Sequence, residues 1–184
     1  MYPPGHVGLT AVLFAPLVGW FRSTGRERVA TECLAVVTAL SLLPDVDALL
    51  PGIVHRGVTH TLLAAVVVGV ALSVGLHCRA DSGLRLPGKG GIFCSCLGAF
   101  AIVSHLLGDI ITPMGIQPLF PLWQSAHSLN VVAARSPTAN ALLLLAGMTA
   151  LSVAYLVPVA GPPSGEDDPA DGVSLGSLRH RFGL

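Results

Sequence analysis

Apolar residues run almost unbroken through five stretches of the chain, residues 6–21, 29–43, 61–76, 92–111 and 138–159, with polar turns between them. Uninterrupted apolar runs of this length predict helices that cross a bilayer. The first two are short, about 22–26 Å as helix, against a hydrocarbon core of about 30 Å. Pro44 closes the second run, because a proline inside a helix removes a hydrogen bond. Thr59 is placed to cap the third, its hydroxyl accepting from an unpaired backbone N–H. Residues 112–123 carry Pro113, Gly115, Pro118 and Pro121, too many breakers for a helix. That stretch is apolar enough to lie along the interface or re-enter it, with Phe120 and Trp123 at headgroup level. Residues 125–134 read as a short strand or a loop. The pattern predicts an all-α integral membrane bundle of about five transmembrane spans over residues 1–159. A Gly-, Pro- and acid-rich tail over 160–184 has too little apolar surface to pack and is expected to be disordered.

Composition sharpens this picture. The 184 residues are 52% hydrophobic and 11% charged, with a formal net charge of zero, whereas soluble domains carry roughly 25% charged residues. A neutral chain gives no electrostatic footprint for nucleic acid. The expected partners are membrane lipids and a small-molecule or lipid substrate; oligomeric state is not encoded in any motif. The first basic residue, Arg22, follows the first apolar run, so that run reads as a retained span and not a cleaved signal. With five spans, one side of the membrane collects Arg22, Arg26, Arg28, Arg79, Arg85, Lys89, Arg179 and Arg181, eight of the ten basic residues. By the positive-inside rule that side is cytoplasmic. The expectation is a multi-pass plasma-membrane protein with its N-terminus on the outer face and its C-terminus in the cytoplasm. Cys33, Cys78, Cys94 and Cys96 lack metal-ligand spacing and read as small hydrophobes.

Against so little charge, the titratable residues that remain stand out. Asp45 and Asp47 follow the end of the second run, where the helix dipole is already negative and carboxylates need a compensating cation. His55, Arg56 and His60 come next, and His105 and Asp109 lie four apart on the fourth run, on one helix face with Cβ atoms roughly 5–6 Å apart. His6 joins them: every one of these groups falls on the predicted outer side. Ionisable residues beside a membrane are costly and mark functional sites. Mixed imidazole and carboxylate donors suit zinc, or manganese or iron, and not the all-oxygen shell of calcium or magnesium. The candidate ligands are His6, Asp45, Asp47, His55, His60, His105 and Asp109, more than one tetrahedral shell holds. Either some support the ligands from behind, or two ions sit roughly 3.5–4 Å apart. In a hydrolase built this way, Asp45 or Asp47 would orient or deprotonate the attacking water and Arg56 would hold the anion. Glu32 is expected to pair with Arg28, His77 and His180 fall on the predicted cytoplasmic side away from the site, and His127 lies on the site's side without a clear partner. Two duller readings compete: a polar or structural-metal cluster locking the helix ends of a scaffold, and an ion transporter, disfavoured by the lack of ionisable groups at mid-depth.

Four segments in order resemble a known family: Gly5-His6, Leu42-Leu-Pro-Asp-Val-Asp47, His55-Arg-Gly-Val-Thr-His60, and Ser104-His-Leu-Leu-Gly-Asp109-Ile-Ile-Thr-Pro-Met-Gly115, followed by Pro118 and Pro121. Over about residues 5–123 the chain looks like the YdjM-type membrane-bound metal-dependent hydrolases. The order of His, Asp, His and His-x-x-x-Asp is also distantly similar to the zinc-dependent phospholipase C and P1 nuclease group, whose helical enzymes cleave phosphoesters at a multi-zinc site. The resemblance implies a metal-dependent hydrolase, with a phosphoester, conceivably a lipid headgroup, as its substrate. Those soluble enzymes use further His and Glu ligands downstream. Here only His127 follows Asp109 before the tail, which points to one or two metals instead of three.

Overall fold

The computed structural model describes residues 1–52, 54–78, 86–87 and 91–157; the expected disordered tail and the basic positions Arg79, Arg85, Lys89, Arg179 and Arg181 lie outside them. The described residues form an all-helical bundle. Its helices are α1 (Pro3–Ser23), α2 (Glu27–Ser41), α3 (Leu62–Cys78), α4 (Ile92–Ile110) and α5 (Pro137–Leu156), with short 3₁₀ turns at Pro44–Leu49 and Val58–His60. Four segments are long and apolar enough to cross a membrane: α1, α2 continued through its 3₁₀ turn to Leu49, α4 and α5. α3, with 17 residues, is a shorter apolar helix.

The ends of the helices follow from local chemistry. Pro3 and Pro4 open α1, where a missing N–H costs nothing. Gly25 closes it at φ 71°; the Arg26 N–H reaches the Phe21 carbonyl at 2.9 Å and the Gly25 N–H the Arg22 carbonyl at 2.9 Å, a Schellman cap that only a residue tolerant of positive φ closes without strain. The cap of α3 is Thr61 and not Thr59: the Thr61 hydroxyl accepts from the Ala64 N–H at 3.0 Å. Thr59 sits one turn earlier, and its hydroxyl donates to Asp47. At α5, the Ser136 hydroxyl accepts from Ala139 at 3.3 Å, with Pro137 in the first turn.

α1 packs against α5, α2 and α4, and α4 also packs against α3 and α2. Lipid is as apolar as leucine, so helices in a membrane associate through close packing of small residues and through polar bonds between helices. Both occur. A Cβ at Gly98 would sit 2.9 Å from the Gly69 Cα, which makes this glycine pair the seat of α3 on α4, and one at Gly147 would sit 2.9 Å from the Gly8 Cα, the seat of α5 on α1. Thr10 and Ser104 bond across α1 and α4 at 2.9 Å, fully buried. Phe14, Val18, Phe21, Ala30, Cys33, Val37 and Leu97 fill the core around them. Arg28 donates to Glu32 at 2.7 Å, as their spacing predicts.

After α4 the chain folds back over the bundle end. The Leu129 and Val131 N–H groups reach the Ile110 and Ile111 carbonyls at 2.7 and 2.9 Å, and Ser128 donates to the Thr112 carbonyl at 2.6 Å. Residues 125–134 form a loop, pinned by one isolated bridge between Ile116 and His127; His127 contributes its backbone there. The described residues contain no strand. The start of α1, the end of α2, the start of α3, the end of α4 and the start of α5 therefore share one end of the bundle with the 112–136 loop.

Candidate metal centre

That end holds every candidate ligand. His6, on the second turn of α1, stacks its ring on His105 of α4, centroids 3.8 Å apart and planes 8° from parallel. α4 admits the ring because residue 108 is glycine: a Cβ there would meet His6 Nδ1 at 2.8 Å. The bend after α2 swings Asp45 over the same point, and the 3₁₀ turn before α3 brings in His60. Five side chains then converge. His105 Nε2 lies 3.1 Å from His60 Nε2 and 3.5 Å from both Asp45 Oδ1 and Asp109 Oδ2. His60 Nε2 lies 3.3 Å from Asp109 Oδ2 and 3.6 Å from Asp45 Oδ1, and His6 Nε2 lies 3.5 Å from Asp109 Oδ1 and 3.8 Å from Asp45 Oδ2. Donors about 2.1 Å from a tetrahedral ion sit roughly 3.4 Å from one another. The cluster has that spacing.

The hydrogen bonds behind these atoms fix which ring nitrogen faces inward. His105 Nδ1–H donates to the Ser41 carbonyl at 2.7 Å. His55 Nδ1–H donates to Asp47 Oδ1 at 2.7 Å. Thr59 gives its proton to Asp47 Oδ2 and so accepts from His60 Nδ1 at 2.9 Å. In each ring Nδ1 is thereby the outward donor and Nε2 the atom turned inward, the arrangement that outer partners of metal-bound histidines impose. The Nε2 atoms of His60 and His105 face each other at 3.1 Å, a spacing that fits a hydrogen bond or two ligands of one cation. Both nitrogens of His6, Arg56 Nε and Asp109 Oδ2 are buried without a hydrogen-bond partner, a costly state in any protein interior; an ion at the centre would satisfy His6 Nε2 and Asp109 Oδ2.

Charge points the same way. Burial works against a protonated His60, yet the carboxylates of Asp109 and Asp45 outweigh it and hold this imidazole above its usual range, so the centre attracts positive charge. The Met1 amino group also lies there, 2.5 Å from Asp109 Oδ1. Two overlapping sets of residues could each hold an ion: His6, Asp45, His105 and Asp109, and Asp45, His55 and His60. Asp45 belongs to both.

Asp47 and Arg56 stand apart from the five side chains that converge. Asp47 is in neither set; its carboxylate is spent on His55, Thr59, His60 and the Arg56 N–H at 3.3 Å. Arg56, expected to face an anion, turns its guanidinium inward to Asp109 Oδ1 at 2.7 Å, the Thr112 hydroxyl at 3.0 Å and the Gly115 carbonyl at 3.1 Å. It does so from a backbone φ of 63°, unusual for a bulky residue and costing about 1–3 kcal/mol. Arg56 also lines, with His55, Gly57, Met114 and Gln117, an open cleft of about 400 Å³ beside the cluster. Sequence patterns singled out neither Ser41, Thr59 and Thr112 nor Gly108 as parts of the site. The one usable signal was position: Thr59 and Gly108 directly precede His60 and Asp109.

No curated protein and no solved structure matches the chain. The model of one family does, the YdjM inner membrane protein, over residues 1–161. That span takes in all five helices and every residue of the buried His/Asp cluster, and the chain belongs to the YdjM inner membrane protein family.

Proposed function

We propose that this protein is a membrane-bound metal-dependent hydrolase acting on a phosphoester at the outer face of the membrane. The observation that carries the reading is the convergence of His6, His60, His105, Asp45 and Asp109 with their donor atoms 3.1–3.8 Å apart beside an open cleft. A divalent ion held there, zinc by donor chemistry with manganese or iron as alternatives, would lower the pKa of a coordinated water to about 7 and polarise a phosphoryl oxygen. The overlap of the two sets at Asp45 favours two ions with this carboxylate shared between them. Asp45 is the partly exposed member, 22% against 0% for the other four, and so is also the group best placed to exchange a proton with water. Asp47 and Ser41 hold the imidazoles in register. Arg56 holds Asp109, and His55 and Gln117 along the cleft orient the substrate.

The basic turn Arg22, Arg26 and Arg28 lies at the opposite end of the bundle from the cluster. By the positive-inside rule this supports our reading of that end as cytoplasmic and the cluster as outside.

Purified protein supplied with zinc or manganese is expected to hydrolyse p-nitrophenyl phosphate, its bis-ester or phosphatidic acid above a His105→Ala control. Turnover no greater than the control with every metal and ester would remove the hydrolase reading and leave a metal cluster that ties helix ends together.

A further inference from the structure

A second concavity adjoins the cleft. It is a groove of about 410 Å³ between the first turns of α3 and the 118–122 segment, walled by Leu62, Leu63, Val66, Leu119, Phe120 and Leu122, and all of its lining residues are apolar. The groove is constructed, not incidental: the Leu62 N–H bonds the Pro118 carbonyl at 2.8 Å, which fixes one wall to the other. Its side chains are left open, with Leu63 57%, Val66 59% and Leu122 92% exposed. Phe120 lines both the groove and the polar cleft, so the two are neighbours across one ring. The cleft sets His55, whose side chain is 40% exposed, and Gln117 among apolar neighbours, and the groove offers only hydrocarbon. A molecule that spans both must itself be polar at one end and aliphatic at the other.

We propose that the groove is the acyl-chain subsite of a lipid phosphoester whose phosphate lies in the cleft beside His55 and Gln117. This rests on the hydrolase reading and names the substrate class for it. The bilayer solvates an acyl chain as well as leucine does, so the groove adds little affinity. What it adds is register: a chain laid between α3 and the 118–122 segment holds its ester against the ligand cluster, the positioning that turns an encounter into a near-attack arrangement. The exposed faces of α3 beyond the groove and of α5 are apolar as well.

The test uses metal-loaded protein in phosphatidylcholine nanodiscs containing phosphatidic acid with a photoactivatable diazirine in its acyl chain, with labelled peptides mapped by mass spectrometry. Labelling is expected to concentrate on residues 62–66 and 118–122. Unlabelled phosphatidic acid should displace it, and diacylglycerol, which has the same chains without the phosphate, should not. Val66→Trp, which fills the groove, should reduce labelling there to the level seen on α5 while leaving α5 unchanged. Labelling spread evenly over the lipid-facing surfaces of α3 and α5, equal displacement by diacylglycerol, or no effect of Val66→Trp would overturn the inference. p-Nitrophenyl phosphate turnover, measured in the same preparation, separates the two readings. Localised labelling without turnover keeps the subsite and removes catalysis; turnover with even labelling does the reverse.

Discussion

Asp109→Asn is expected to empty the centre of metal, abolish hydrolysis and lower stability, all from one oxygen-to-nitrogen exchange. Asp109 faces His6, His60 and His105 and accepts from Arg56 at 2.7 Å. Its amide replacement keeps the volume but removes the negative charge that both the ion and the guanidinium need. Arg56 and Asp109 have side chains 6% and 0% exposed, so losing one partner leaves the other charge stranded in the interior, at a cost of about 3–5 kcal/mol. Metal content and thermal unfolding of the variant read the two effects separately. The double variant Arg56→Met, Asp109→Asn removes the stranded charge and should regain part of the stability while binding no metal. Recovery of metal in the double variant, or an unchanged metal content in the single one, would count against Asp109 as a ligand.

Asp47→Asn should behave differently, because Asp47 acts through the histidines. Its carboxylate receives His55 Nδ1 at 2.7 Å and lies 3.3 Å from His60 Nδ1, so it sets which nitrogen of each ring points at the ion. Removing such an outer partner costs about 10–100-fold in metal affinity, against complete loss for a ligand. Metal titration of Asp47→Asn should therefore show a weakened site that still fills at high metal, with catalysis returning as it fills. Thr59→Val should give a milder form of the same weakening. If Asp47→Asn instead cannot be loaded at any metal concentration, Asp47 is itself a ligand.

The difference between these two aspartates shows where sequence reading reaches its limit. The apolar runs placed the spans to within a few residues, because a helix in lipid must be both long and apolar. The i, i+4 spacing of His105 and Asp109 put both on one face, and the scarcity of charge made each remaining titratable residue informative. Asp45 and Asp47, two apart in one turn, look alike in the sequence. Only the path of the 3₁₀ turn after Pro44 decides that Asp45 faces the centre while Asp47 stands behind His55 and His60. Arg56 is a similar case. Its inward reach depends on a left-handed backbone that no propensity predicts for arginine, and on Thr112 and Gly115 arriving from a loop more than fifty residues away. Thr61 took the capping role that Thr59 shared the chemistry for, and freed Thr59 to bridge Asp47 and His60. The loop over 112–136 carries turn signals but nothing that specifies its fold back onto the end of α4, where backbone contacts hold it.

The account stands on a cation filling a buried set of imidazoles and carboxylates; without it, His6 and Asp109 carry unsatisfied polar atoms in the interior. Metal analysis by mass spectrometry on detergent-purified, folded wild-type protein tests this most directly. One equivalent of zinc, manganese or iron per chain is the expected minimum. Two equivalents, falling to one in His55→Ala, would match an Asp45 shared between sites. A folded wild type that remains empty after metal is supplied would contradict the account and leave the cluster as a hydrogen-bonded lock at the end of the bundle.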